Sequence, residues 1–195
     1  GVQTCALPIC GDIVNTVPSK VTMEAYVRAR TVDSIVGANK KVNRAISAGA
    51  MAMGATVEIE DTFGYLPIVN DKELLSVFKD NLEYTGITQT IDQGKSTASF
   101  DFGDVSYILP AIHPMMAGIS GDLHSAQYNI DDEYLAYITP AKIMVLTIID
   151  LLYNKAEKAK DVITNYKPIM SKEEYIKFMI DNSKKYIYSY NGYEV

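Results

Sequence analysis

Residues 21–28 alternate, with Val21, Met23, Ala25 and Val27 on one side and Thr22, Glu24, Tyr26 and Arg28 on the other. A period of two predicts a strand with one face buried. The β-branched run from Ile13 to Val17, closed by Pro18-Ser19, predicts another strand before it. The period then changes. Val32, Ile35, Val36, Val42, Ile46, Ala50 and Met53 follow helical spacing, from a Thr31 N-cap to Gly54 at the C-terminal end. Ala55 to Glu60 alternates again, so residues 12–62 are predicted as β-β-α-β.

Pro67 and Asn70 mark a boundary, and Asn70 with Glu73 forms a capping-box-like start for a helix from about Asp71 to Tyr84. Gly94 to Thr97 reads as a loop, Asp101 to Tyr107 as a short helix, and Ala111 to Met116 as a short strand broken by Pro114. Asp131 to about Lys158 is predicted as a long helix whose nearly all-apolar middle is buried. Its Pro140 is either a kink or the N1 residue of a second helix capped by Thr139. Ser171 with Glu174 opens a last helix to about Tyr186. Mixed β and α segments make the class α/β or α+β.

The chain has 195 residues, 48% hydrophobic and 22% charged, which suits one large or two small globular domains. A net charge of −6 argues against a nucleic-acid partner. Lys40, Lys41 and Arg44 read as a solvated helix face, and the tyrosines of the C-terminal tail (Tyr186, Tyr188, Tyr190) as surface packing. Cys5 and Cys10 form no disulfide framework along the chain. The apolar run from Ile143 to Tyr153 is broken by Thr147 and Asp150 and falls short of the ~20 residues a bilayer requires. With no signal-peptide pattern, the expectation is a cytoplasmic protein without a membrane partner. Gly1 to Ile9 resembles the conceptual translation of a sequencing-library adapter and is set apart from the fold, with the frame expected to be cut near Cys10.

Candidate chemistry is sparse. His124 follows the Gly-rich loop Gly118-Ile119-Ser120-Gly121-Asp122-Leu123, where an imidazole can be a metal ligand or simply a surface residue. By pattern alone Arg28 is a solvent-facing strand residue, Asn15 a turn residue before Pro18, and Asp101 and Asp104 helix caps.

The string Ser99-Phe100-Asp101-Phe102-Gly103-Asp104-Val105-Ser106 followed by Pro110 and Ile112-His113-Pro114 resembles a signature of peptidase family M20, in its aminobenzoyl-glutamate utilisation and M20-domain dipeptidase branch. Phe100 stands where that pattern has Thr. His124-Ser125 ahead of a long helix, and Gly11 with Asn15, Pro18 and Arg28, match further landmarks in the same order. The resemblance covers roughly residues 11–155 and is carried by order and spacing together.

The resemblance implies a partial ferredoxin-like lid (β-β-α-β) at 11–66 that mediates homodimerisation, then the C-terminal part of a zinc-peptidase-like catalytic domain at 67–195. It implies two divalent metal ions, usually zinc, activating a water for attack on an amide carbonyl beside a carboxylate. His124 falls on the family's last metal ligand. Asn15 and Arg28 fall on lid residues that hold the substrate carboxylate, a task suited to a guanidinium. His113 falls beside the active site. The family's other metal ligands and its general-base Glu belong to an N-terminal half not represented in these residues, so the chain by itself is expected to be an inactive fragment. The alternative is a stand-alone ferredoxin-like dimerisation or small-molecule-binding module, with His124 incidental.

Overall fold

A computed structural model describes residues 3–10, 15, 17–87, 90, 94, 97–98 and 100–189, with the side chains of 3–10 set aside. Two compact units form: Gly1–Pro67 with Lys95–Asp104 and Lys172–Val195, and Ile68–Gly94 with Val105–Ser171. The class is α+β, with helices and, among the described residues, three separate two-stranded antiparallel sheets.

In the first unit, β1 (Gln3–Cys10) pairs with β2 (Val21–Arg28), from Gln3 opposite Arg28 to Cys10 opposite Val21. Residues 3–9 of the adapter-like segment thus lie within a strand. Of the expected strand from Ile13 to Val17, residues 13, 14 and 16 lie outside the described residues, Asn15 is in a turn and Val17 is exposed. β2 forms where the alternation places it, but most of it is exposed, Val21 and Met23 included. Alternation reports which side chains share a face. Whether another layer covers that face is decided elsewhere.

α1 (Val32–Ala52) starts at Thr31, whose Oγ1 accepts the Ser34 N–H, and ends beside Gly54 at φ 64°. β3 (Val57–Asp61) then departs from the ferredoxin-like expectation. Its partner is β6 (Lys184–Tyr188), in antiparallel register from Val57 opposite Tyr188 to Asp61 opposite Lys184, so no single β-β-α-β sheet forms. Asp61 secures β3 to α1 by accepting from Asn39 Nδ2 (2.8 Å) and Asn43 Nδ2 (2.7 Å), one helical turn apart.

The expected last helix is shorter than predicted. α5 (Lys172–Asp181) ends where Asn182 Nδ2 turns back to the Phe178 carbonyl, and the β-formers Tyr186, Ile187 and Tyr188 go to β6. Phe63 meets Phe178 edge to face at 4.8 Å, and its N–H donates to Ser183 Oγ. The Leu66 side chain is fully buried, and its N–H donates to Asp104 Oδ1 at 2.8 Å. The Tyr175 hydroxyl also donates to Asp104. Its pKa is raised above the ordinary tyrosine value, by burial first and then by the Asp104 charge and this hydrogen bond.

In the second unit, α2 (Lys72–Asp80) is capped by Asp71, whose Oδ1 accepts the Leu74 N–H. Asn70, the expected cap, instead accepts the His113 N–H at 2.9 Å. The helix is also shorter than expected and passes through a tight turn, Glu83–Thr85, into Gly86 at φ 78°. Residues 111–116 form no strand. The Ala111 carbonyl is taken by the Asp71 N–H, and Pro110 and Pro114 offer no N–H to a ladder.

A wide turn, Tyr134–Ile138, leads into α4 (Thr139–Asn165) with Pro140 in its first turn. Thr139 donates to the Tyr134 carbonyl rather than capping. Pro140 has no N–H to give the carbonyl four residues back, which favours the widened turn before it. Asn154, Lys155 and Ala156 are left-handed, so α4 breaks there.

Phe78, Leu82 and Ile143 make the core of this unit, with Ile87, Ile112 and Met116 against it. Buried Asn81 donates to the Val77 carbonyl and to Asp150 Oδ2 at 2.9 Å. The expectation of a buried α4 holds for one side only: Thr139, Ile143 and Thr147 are buried, whereas Met144, Val145, Ile148, Ile149 and Leu152 are exposed.

Ile143→Ala is expected to cost about 2–5 kcal/mol, against less than about 0.5 for Ile148→Ala on the outer side, measured by urea unfolding. The raised Tyr175 pKa contributes stability that is complete below its unfolded value near 10 and is lost as pH rises through the folded one. Thermal melts across that window should fall less steeply with pH for Tyr175→Phe than for the unsubstituted chain.

Candidate functional site

His124 sits at the tip of a small hairpin in the second unit. β4 (Ile119–Ser120) pairs with β5 (Asn129–Ile130), and the loop between them turns on the Ser125 N–H to Asp122 carbonyl and Tyr128 N–H to Ser125 carbonyl bonds. Two glycines are required here. A Cβ on Gly121 (φ 78°) would lie 2.3 Å from the Gln127 carbonyl oxygen, and one on Gly118 (φ 102°) 2.8 Å from both Ala136 N and the Asp132 oxygen. The Gly118 carbonyl accepts from Asp131 and Asp132, which ties the hairpin to the wide turn before α4. His124 itself is exposed and left-handed, at φ 64°. For a non-glycine residue that conformation is uncommon and recurs at sites where geometry matters more than stability.

Asn15 and Arg28 belong to the first unit. Asn15 is exposed in its turn. Arg28 ends β2 half-buried rather than solvent-facing, with its guanidinium carbon 5.3 Å from the Tyr26 ring centroid. Its Nε is the buried side-chain nitrogen or oxygen that has no hydrogen-bond partner among the described residues. An orphaned donor on a cationic group is costly to bury unless an acceptor arrives.

The residues of the Asp101–Pro114 string hold backbone. Asp101 Oδ1 accepts the Phe102 N–H at the start of α3 (Phe102–Ile108), and Asp104 takes the Leu66 N–H rather than capping that helix. Ser106 Oγ accepts the Val69 N–H, and the Ser106 carbonyl accepts the Tyr166 hydroxyl. No signal in the sequence pointed to the recess this makes. It measures about 280 Å³ and is lined by Asn70, Asp71, Ser106, Asn165 and Tyr166 among others, and neither His113 nor His124 of the same unit lines it. Burial, and then the nearby Asp71 charge, raise the Tyr166 pKa.

The fit to a metal centre fails on donors. Among the described residues no three His, Cys, Asp or Glu side chains come together as a metal-holding group, and one exposed imidazole cannot fix an ion by itself.

No family model matches the chain, and no solved structure matches it. Curated proteins do. Xaa-Arg dipeptidase of Mus musculus is 28% identical over 151 residues, which is 73% of this chain and 35% of that protein. Xaa-Arg dipeptidase of Homo sapiens is 27% identical over 172 residues, 83% of this chain and 39% of that protein. N-acetyldiaminopimelate deacetylase of Oceanobacillus iheyensis is 24% identical over 142 residues, 70% of this chain and 37% of that protein. The relatives are hydrolases. The matched stretch spans well under half the length of each.

If strain at His124 is intrinsic to the loop, His124→Gly should stabilise the chain by about 1 kcal/mol and His124→Ala should not. Gly121→Ala should cost more than about 2 kcal/mol, since backbone has to move. Urea unfolding of the three variants reads both.

Proposed function

We propose that this chain is the C-terminal portion of an M20-type amidohydrolase that cleaves an amide bond next to a carboxylate, in a dipeptide, an N-acyl amino acid or an aminobenzoyl-glutamate type of substrate. The dipeptidase and deacetylase relatives support hydrolysis of amides. The observation that carries the substrate class is Arg28. Its unpartnered, buried Nε on a half-buried guanidinium is matched by a carboxylate, which accepts two parallel N–H bonds from such a fork.

In this reading Asn15 shares the carboxylate with Arg28, and His124 supplies one ligand to a site for two divalent ions, zinc by family expectation. The ions would supply an activated water and polarise the amide carbonyl. This chain's own part is to hold substrate and present the imidazole, with the remaining ligands and the general base coming from the rest of the parent. The parent is taken to be a cytoplasmic homodimer through its lid.

Two measurements test this. The 195-residue chain should hold no stoichiometric zinc by elemental analysis and turn over no dipeptide or N-acyl amino acid. Metal with turnover would refute the division of labour. In the complete parent, Arg28→Ala should raise KM for a carboxylate-bearing substrate roughly 30-fold, the equivalent of a lost charge-assisted pair worth about 2 kcal/mol. An unchanged KM would remove Arg28 from the substrate site.

A further inference from the structure

α4 is interrupted where its sequence gives no reason for an interruption. No Gly or Pro stands between Ala141 and Lys167, and Lys155-Ala156-Glu157-Lys158-Ala159-Lys160 is a run of the strongest helix formers. Yet Tyr153 is extended at ψ 155°, and Asn154, Lys155 and Ala156 are left-handed at φ 48°, 58° and 60°. Only the asparagine belongs to a residue type that visits that region readily. The local causes of a helix break, Pro and Gly/Ser pairs, are missing. The strain is therefore imposed from outside the break.

Both sides of the break are tied to the same body. Before it, Ile143 packs in the core with Phe78 and Leu82, and Asp150 accepts from Asn81. After it, Val162 is buried and Asn165 Nδ2 donates to the Glu73 carboxylate at 3.0 Å. The Tyr166 hydroxyl donates to the Ser106 carbonyl at 3.0 Å, and the N–H groups of Ile169 and Met170 share the Tyr107 carbonyl. Helix rise shows why a straight α4 cannot keep all of these. Glu73 and Asn81 lie about 12 Å apart along α2, whereas positions 150 and 165 of one continuous helix lie about 22 Å apart. The left-handed residues close that gap. Burial decides which tie is the weaker. Ile143 is fully buried, whereas the Asn165–Glu73 bond is exposed and competes with water.

We propose that residues 157–170 are a hinged strap, closed in this structure, which opens when Asn154, Lys155 and Ala156 pass into right-handed helix and α4 becomes one straight rod. Opening gates the recess of the second unit. The strap supplies Asn165, Tyr166, Lys167 and Ile169 to its lining, while the start of α2 and α3 supply Asp71 and Ser106. With the strap lifted, the recess becomes an open groove. The hinge stands whether or not the chain belongs to an amidohydrolase. Counted across the break, Tyr134–Asn165 is long and apolar enough to cross a membrane, which the run Ile143 to Tyr153 alone is not. But the length gained on opening carries Lys155, Glu157, Lys158, Lys160 and Asp161, so the rod extends into water.

Electron spin resonance distances test the hinge. The 195-residue chain with Cys5→Ser and Cys10→Ser carries spin labels at Val145→Cys and Ile163→Cys, both exposed and five turns apart in a continuous helix. The straight rod sets their backbones about 27 Å apart, and the closed strap brings them nearer. A main short distance with a minor long component is expected. Asn154→Ala with Tyr166→Phe should enlarge the long component roughly threefold or more, because alanine favours helix over left-handed backbone and the phenyl ring releases Ser106. Ala156→Gly should cut it roughly tenfold, since glycine accepts the left-handed state and disfavours the helix. A single distance unchanged by these variants overturns the proposal, as does a long component that Ala156→Gly leaves intact. Amide hydrogen exchange at Ile169 and Met170 gives a second readout that needs no label. Exchange there should slow in Ala156→Gly and quicken in Asn154→Ala, with Leu66 as the unaffected control. Equal rates in the three proteins also overturn the strap.

Discussion

Burial of Ile143 against Phe78 and Leu82 is the contact on which the second unit depends. It selects which side of α4 faces in, and three polar residues, Thr139, Thr147 and Asp150, go in with it. Asp150 is tolerated there because Asn81 donates to it, and Asn81 is itself anchored to the Val77 carbonyl. Once that side is committed, the apolar stripe from Tyr137 to Leu152 has to face out. Upstream, the start of α4 positions the wide turn, and the Gly118 carbonyl bonded to Asp131 and Asp132 positions the hairpin that carries His124. The candidate imidazole thus depends, through two short links, on one packed isoleucine.

The first unit solves a different problem. Its sheets are two strands each, too small to bury a face of their own, so side chains tie the pieces together. Asp61 gathers two amides from α1, and Asp104 gathers a backbone N–H from Leu66 and the Tyr175 hydroxyl. Carboxylates used in this way are hydrogen-bonded on at least one oxygen. Arg28 is the contrast: a cationic group whose Nε is buried without an acceptor among the described residues. Within one unit the satisfied polar groups build the frame, and the unsatisfied one is the candidate for binding.

Local features were legible in the residues wherever local physics decides them. Thr31 starts α1, Gly54 follows its end, the α2 helix begins at the Asn70–Asp71 boundary, and the 102–108 helix lies where Asp101 predicted it. The errors share a cause. Asn70 and Asp71 are both competent caps, and the choice between them was made by His113, forty-three residues away, whose backbone N–H donates to the Asn70 side-chain Oδ1. The extended look of 111–116 was real in composition, but the Ala111 carbonyl was claimed by Asp71 instead of a neighbouring strand. Likewise nothing within Val57–Asp61 announces that its partner is the tail strand Lys184–Tyr188 rather than β2, because strand pairing is a long-range choice.

The residues alone determined that the class mixes helices and strands, and where most of the helices start. These follow from periodicity, capping chemistry and residue type, which act over a few positions at a time. Only the tertiary structure decided which strands pair, that Arg28 is half-buried with an Nε unpartnered among the described residues, that His124 is held left-handed at a hairpin tip after two glycines that admit no Cβ, and that the more polar side of α4 is the buried one. Each of those is set by what happens to lie across from a side chain, and burial is a property of the surroundings, which no residue carries in its own chemistry.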